Sequence, residues 1–127
     1  MKYNIDTKEN FDIITPINDT FNQELAEKIH SFLSTSILKK RSAIIDFSSI
    51  QSIENNLSQS VIDWHHEMYD SNLSFALCGM NDDVKKTLLE NIESDILNIT
   101  PKQIEAIDIV AMEGLERELM GDDEFDF

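Results

Sequence analysis

The sequence is poor in glycine and cysteine, and both shortages exclude classes of functional site. Only three glycines occur in 127 residues, and none forms a Walker A, G-x-G-x-x-G or G-x-S-x-G pattern, so a glycine loop that cradles phosphate is excluded. The one cysteine, Cys78, excludes an internal disulfide and a multi-cysteine zinc site. Because Cys78 lies in the apolar run LSFALCGM, we expect a buried, unreactive thiol.

Long apolar runs and basic charge are also missing. No apolar run approaches the roughly 20 residues that cross a bilayer, and the beginning MKYNIDTKEN lacks the basic-then-apolar layout of a secretory signal, so we expect a cytoplasmic location. Ten basic residues stand against 25 acidic ones, a formal net charge of −15. Such a surface repels nucleic acids and anionic lipid. It suits a partner with basic contact surfaces, and solubility alone explains it equally well.

The histidines do not have the spacing of a metal or catalytic site. His65, His66 and Glu67 are adjacent on a predicted helix, where consecutive side chains point about 100° apart, and the His-x-x-x-His spacing of metal-binding helices is absent. Ser58 and Ser60 lie a full turn or more from His65, which gives no nucleophile and base pair. We therefore expect no metal, no cofactor and no enzymatic activity.

Five apolar segments have the features of β-strands. Two near residues 2–8 and 11–16 are separated by the short polar KEN, which predicts a hairpin. The continuous apolar runs AIIDF and LSFALCGM predict strands that are buried on both faces. The segment DILNITP predicts a short last strand.

Four segments show helical spacing, and each follows residues that favour a helix start. Asn18–Thr20, Asn56, Asn81 or Asp82, and Thr100 followed by Pro101 are the predicted starts. We expect the apolar stripes of these helices to face the core, with Trp64 among them. Their members are Phe21, Leu25, Ile29 and Phe32; Leu57, Val61, Trp64, His65 and Met68; Val84, Leu88 and Leu89; and Ile104, Ile107, Ala111 and Leu115.

The predicted order, β-β-α-β-α-β-α-β-α, indicates a single α/β domain with a largely parallel or mixed sheet. We expect this domain to span residues 1–120. The remaining segment, GDDEFDF over residues 121–127, is acidic and contains two phenylalanines. It is predicted to be a mobile tail, and a docking peptide is the alternative interpretation.

The element order and the segment AIIDFSSIQSIENNLSQSVIDW resemble the STAS domain of bacterial anti-sigma-factor antagonists. In that family, a strand with a V-x-x-D-x-S-x-V type pattern leads to an I-D-S-S-G-like loop that opens a helix. The segments IITPINDTFNQELAEKI, LSFALCGMNDDVKKTLLE and ITPKQIEAI are similar to other parts of the family pattern, so the resemblance covers nearly the whole chain. The residues that match the central pattern are Ile44, Ile45, Asp46, Ser48, Ile50, Ile53 and Val61.

The resemblance implies one STAS-like domain with a mixed β-sheet of about four to five strands and helices mainly on one face. The chain departs from the family at the loop. Glu54 takes the place of the loop aspartate, Asn55 and Asn56 take the two small or hydroxyl positions, and Leu57 takes the glycine position. The residue that is usually phosphorylated falls on Asn56, which has no hydroxyl. A family aspartate in the first loop falls on Asn18.

The function implied by the resemblance is a non-catalytic regulatory domain that binds a protein partner, such as an anti-sigma-like kinase. The contact surface would consist of two segments, Asn18, Asp19 and Thr20, and Glu54, Asn55, Asn56, Leu57 and Ser58. Without a hydroxyl at Asn56, the phosphorylation switch would be absent, and Ser58 is the candidate for a displaced phosphosite. The alternative is a cytoplasmic accessory subunit of a lipid or small-molecule transporter.

Overall fold

The computed structural model of the protein describes residues 2–90, 92 and 96–124, and for residues 121–124 it describes the backbone alone. Within these ranges the chain forms seven strands and four helices. They are β1 (Lys2–Thr7), β2 (Phe11–Ile17), β3 (Thr20–Phe21), α1 (Gln23–Leu38), β4 (Ser42–Asp46), β5 (Ser52–Ile53), α2 (Ser58–Asp70), β6 (Phe75–Cys78), α3 (Asp82–Leu89), β7 (Ile99–Thr100) and α4 (Gln103–Glu124).

The main sheet has five strands in the order β1-β2-β4-β6-β7. β1 and β2 are antiparallel neighbours, while β4, β6 and β7 add in parallel. Each parallel step requires a crossover, which the helices between the strands provide. The predicted mixed sheet of an α/β domain is thus confirmed. Two very short strands that were not predicted, β3 and β5, form a separate parallel pair.

One face of the sheet carries α1, α2 and α3 and the larger hydrophobic core. Phe21 is fully buried there, and its ring stacks on Phe47 with the ring centroids 5.1 Å apart. The ring of Trp64 packs against that of Phe21 with the centroids 6.2 Å apart, and Trp64 is buried. The predicted position of Trp64 in the core is thus confirmed. Three of the four helices lie on this face, as the predicted fold requires.

The other face is covered by α4, and its core is much smaller. Ala106 and Val110 of α4 are buried against Ile13, Ile44 and Ala76 of the sheet. The predicted buried stripe of this helix is therefore wrong. Its members Ile104, Ala111 and Leu115 are exposed, and only Ile107 packs partly against the core.

Three of the predicted helix starts are also wrong, those of α1, α2 and α4; the cap residue of α2 is Leu57 and not Asn56. Asn22 caps α1, because its Oδ1 accepts a hydrogen bond from Leu25 N at 3.0 Å; the segment Asn18–Thr20 precedes the helix and leads into β3. Thr100 belongs to β7, and α4 begins only at Gln103. The cap predicted for α3 is confirmed, since Asn81 Oδ1 accepts from Val84 N at 2.8 Å.

The chain end and Cys78 complete the description of the fold. α4 continues to Glu124, so the segment predicted as a tail begins inside this helix, and residues 125–127 lie outside the described residues. Cys78 is buried, as predicted, and burial together with the nearby Asp46 carboxylate raises the pKa of its thiol to about 12. In the described part of the chain, no helix is long and apolar enough to span a bilayer.

Candidate functional site

The two predicted contact segments lie side by side because β3 pairs with β5. The carbonyl oxygen of Asp19 accepts hydrogen bonds from Gln51 N at 2.7 Å and from Ser52 N at 3.1 Å. One pair further along, Glu54 N donates to Phe21 O at 3.0 Å. This ladder joins residues 19–21 to residues 51–54, and the second predicted segment begins where the ladder ends, at Glu54. We call residues 18–20 and 54–58 together the loop surface.

Glu54 ties the second segment to the start of α1. Its Oε1 accepts a hydrogen bond from Gln23 N at 2.7 Å, while Asn22 accepts from the third residue of the same helix. Both bonds satisfy backbone N–H groups that have no partner inside the helix, and the carboxylate also complements the positive end of the helix dipole. Glu54 is thus a structural link between the two segments. Its partner is 31 residues away, so sequence spacing gave no signal for this role.

Asn18 holds the first segment in shape. Its Nδ2 donates to Thr20 O at 2.6 Å, and the Asn18 side chain is half-buried. The Thr20 hydroxyl lies 3.0 Å from the Ser52 hydroxyl across the β3–β5 pair. Asp19 is exposed between them. The first segment therefore presents one carboxylate on a loop whose backbone is fixed by hydrogen bonds.

Asn55 and Asn56 are exposed, and neither makes a side-chain hydrogen bond within the described ranges. Asn56 does not cap α2, contrary to the prediction. The cap residue is Leu57, whose apolar side chain makes no capping hydrogen bond. Both amides of the second segment are consequently free to bind another molecule.

Leu57 itself is fully buried in the larger core. Its side chain anchors the second segment and cannot contact a partner, so Leu57 does not belong to the exposed part of the loop surface. Ser58 follows as the first residue of α2 and is half-buried. Its position in the first turn agrees with the sequence analysis. The loop surface presents Asp19, Glu54, Asn55 and Asn56 outward, while Asn18, Thr20 and Ser58 are half-buried.

The histidines of α2 lie in a different environment, further along the same helix. His65 is half-buried beside Tyr69, with their ring centroids 4.5 Å apart, and His66 is exposed. Burial lowers the pKa of His65, and His66 lowers it further, while Glu113 opposes both effects. Among the described residues, no group of three His, Cys, Asp or Glu side chains could hold a metal ion.

Tyr69 forms a polar link between α2 and α4. Its hydroxyl donates to Glu113 Oε1 at 2.5 Å and accepts from Asn98 Nδ2 at 2.7 Å. Burial and the hydrogen bond to Glu113 raise the pKa of Tyr69 to about 12. The phenol therefore stays protonated at neutral pH, which suits a structural hydrogen bond.

No model of a known protein family matches this chain, and no curated protein matches it in sequence. Solved structures do match. A variant of RsbS from Moorella thermoacetica aligns with a TM-score of 0.73 and 16% identity, over 92% of this chain and 99% of that one. An anti-sigma-factor antagonist (STAS) domain protein from Planctomyces limnophilus aligns with a TM-score of 0.68 and 13% identity, over 85% of this chain and 96% of that one.

A third match is part of a much longer protein. The murine anion transporter Solute Carrier 26 family member A9 aligns with a TM-score of 0.60 and 12% identity, over 81% of this chain but only 18% of the transporter. At these identities the matches concern the fold and not the function. The five-stranded mixed sheet, the helix arrangement and these alignments together show that the chain has the STAS fold of anti-sigma-factor antagonists.

Proposed function

We propose that this chain is a non-catalytic regulatory domain that binds a protein partner in the cytoplasm through the loop surface. The observation that supports this proposal is the β3–β5 pair, whose hydrogen bonds link residues 19–21 to residues 51–54 and so connect the first segment to the beginning of the second. The underlying hydrogen bonds fix the backbone of both segments. Partner binding would therefore cost little ordering of the backbone, which favours recognition by a preformed surface.

The chemistry of the loop surface favours a partner with basic and hydrogen-bonding groups. Asp19 offers an exposed carboxylate, and Asn55 and Asn56 offer amide groups that lack hydrogen bonds within the described part of the chain. The net charge of −15 would speed association with a basic protein. An anti-sigma-like kinase is the partner type that the resemblance to anti-sigma-factor antagonists suggests.

We further propose that the loop surface lacks the usual phosphorylation switch. Asn56 stands where the resemblance places the phosphoacceptor, and an amide cannot accept a phosphoryl group. Phosphorylation would add about −1.5 to −2 charge at this point. In its absence, the surface stays permanently in the unmodified form that binds the partner.

Ser58 is the alternative phosphoacceptor. It is the first residue of α2, and the cap residue Leu57 makes no side-chain hydrogen bond to that helix. A phosphate on Ser58 would be stabilised by the helix dipole and by the open N–H groups of the first turn. The alternative is that Ser58 is an ordinary polar residue in the first turn of the helix. The two interpretations differ in one measurable property.

That property is the intact mass of the protein after incubation with its kinase. We expect no stoichiometric phosphorylation of residues 54–60. A mass increase of one phosphoryl group that Ser58→Ala abolishes would instead establish a displaced switch, and the claim of a missing switch would be wrong. Asn56→Ser provides the matched control, because it restores a hydroxyl at the position of the usual phosphoacceptor and should make the chain a substrate.

Partner binding is tested by affinity capture with three matched variants. Asn55→Arg and Asn56→Arg each place a positive charge in the loop surface, which would repel a basic partner. Leu38→Arg introduces the same charge at an exposed position of α1. We expect the first two variants to lose the partner and the third to retain it. Equal retention by all three would refute binding through the loop surface.

The transporter alternative is supported by the occurrence of the same fold within an anion transporter. The identity of the captured partner separates the two proposals. A histidine-kinase-like ATPase supports the regulatory role, whereas a transporter ATPase subunit supports the accessory role.

A further inference from the structure

The outward side of α4 carries an apolar stripe that no other element of the described residues covers. Its members are 59–64% exposed and recur along the helix, on the side opposite to the buried Ala106 and Val110. We call them the outer stripe. They are Ile104, Met112, Leu115 and Leu119.

A shallow groove runs beside the outer stripe. It has a volume of about 310 Å³ and lies between α4 and the start of β2, with Phe11, Ala111, Gly114 and Leu115 in its lining. A Cβ atom added to Gly114 would meet nothing within 4 Å. A helical glycine costs about 1 kcal/mol relative to alanine, and packing within the chain gives no reason for this one. Gly114 therefore lines the groove without a side chain that would fill part of it.

The rim of the outer stripe is acidic. Glu105, Asp108, Glu116 and Glu118 of α4 are exposed. Arg117, the one basic residue among residues 103–120, is turned toward the core and donates from Nη2 to the buried Ser74 Oγ at 2.8 Å. The outward side of α4 therefore combines exposed aliphatic side chains with carboxylates.

We propose that the outer stripe and its groove bind a cationic amphipathic helix of a protein partner. The apolar side of such a helix would cover the aliphatic side chains, and its lysines or arginines would pair with the acidic rim. A second copy of this chain would bring the same carboxylates against each other, and an anionic membrane would be repelled in the same way. This surface belongs to α4 on the other side of the sheet from the loop surface, so the proposal does not rest on the proposed function.

The probe is a fluorescent peptide of about 18 residues made of leucine and lysine, with leucine at the i, i+3, i+4 and i+7 spacing of one helix face. A scrambled peptide of identical composition is the control for charge alone. We expect saturable binding of the patterned peptide to the full chain by anisotropy and weak binding of the scrambled one. In ¹⁵N spectra, the shifts should concentrate on α4 and the start of β2.

Matched double variants assign the binding to the outer stripe. Leu115→Gln with Leu119→Gln should weaken binding by about tenfold or more, because two leucine contacts are lost. Ile17→Gln with Leu38→Gln changes two exposed apolar residues elsewhere and should leave the dissociation constant unchanged. All four side chains are exposed, so both proteins should fold, which thermal melts would verify.

Three results would overturn the proposal. They are equal affinity for the two peptides, equal loss of affinity in the two double variants, and a stable homodimer that Leu115→Gln with Leu119→Gln dissociates. The last would show that a second copy, and not a cationic helix, covers the stripe.

Discussion

The two faces of the sheet differ in how completely they bury apolar residues. Three helices cover the face that carries the loop surface, and their apolar stripes meet in one large core. α4 alone covers the other face, where a small cluster is buried and the outer stripe stays exposed. The difference teaches that an apolar helix stripe is a reliable sign of the core only where other elements surround the helix.

The largest expected difference in stability is between two leucine-to-alanine substitutions, one on each face of the sheet. Leu25 of α1 is fully buried, whereas Leu115 of α4 is exposed. Leu25→Ala should lower the free energy of unfolding by about 2–5 kcal/mol, because it removes contacts and leaves a cavity. Leu115→Ala should change it by no more than about 0.5 kcal/mol. Urea denaturation measures both, and a cost above 2 kcal/mol for Leu115→Ala would contradict the exposed position of the outer stripe.

Glycine-to-alanine substitutions should change the stability of the protein in opposite directions at two positions. Gly79 follows β6 with a φ of +74°, and an added Cβ would lie 2.6 Å from Asp46 Oδ1. Gly79→Ala should therefore destabilise by about 1–3 kcal/mol. Gly114→Ala meets open space and should stabilise by about 0.5–1 kcal/mol through helix propensity. Thermal melts of the two variants give the signs directly, and equal signs would contradict one of these environments.

A smaller effect is expected within the loop surface. Glu54→Ala removes the carboxylate that accepts from Gln23 N and should cost about 0.5–2 kcal/mol, as for the loss of a helix cap. The neighbouring Asn55→Ala should be within about 0.5 kcal/mol of the wild type, because its side chain is exposed. If denaturation shows equal effects, Glu54 does not link the two segments.

The pH dependence of stability tests the burial of His65 on α2. The pKa of His65 is lowered from its usual value of 6.5, chiefly by burial. Below pH 6.5 His65 therefore binds a proton more readily in the unfolded chain than in the folded chain. The contribution of neutral His65 to the free energy of unfolding is complete above pH 6.5 and is lost as the pH falls.

Melting temperatures at pH 7 and pH 5 measure this effect. We expect the wild type to lose more stability over this range than His65→Gln. His66→Gln should be intermediate, because it removes only the second cause of the shift. Identical pH dependence in the wild type and His65→Gln would show that His65 is not buried as described.

Most of the fold could be predicted because its signals are local. The continuous apolar runs of β4 and β6 and the stripe of α1 indicated the right element types and order, although Phe21, predicted as the first member of that stripe, lies in β3. β3 and β5 were missed, since two residues are too few to show a period. Asn18–Thr20 were predicted as a helix start because they are good capping types, but β3 intervenes and Asn22 caps α1.

The candidate site was harder to predict because its contacts are non-local. The sequence correctly indicated a junction of strand, polar loop and helix at residues 43–61. It could not show that Glu54 binds the start of α1, that Leu57 points into the core, or that Asn56 leaves α2 uncapped. The stripe of α4 was misplaced for the same reason, since periodicity alone does not identify which apolar side of a helix meets the sheet.

The most direct test of the proposed function is site-specific photo-crosslinking in living cells. A photoreactive amino acid is placed at Asn55, in the loop surface, and in parallel at Leu38, an exposed position on α1. We predict that the Asn55 probe yields one discrete crosslinked protein and that the Leu38 probe does not. The absence of any specific product at Asn55, or the same product at both positions, would contradict partner binding through the loop surface.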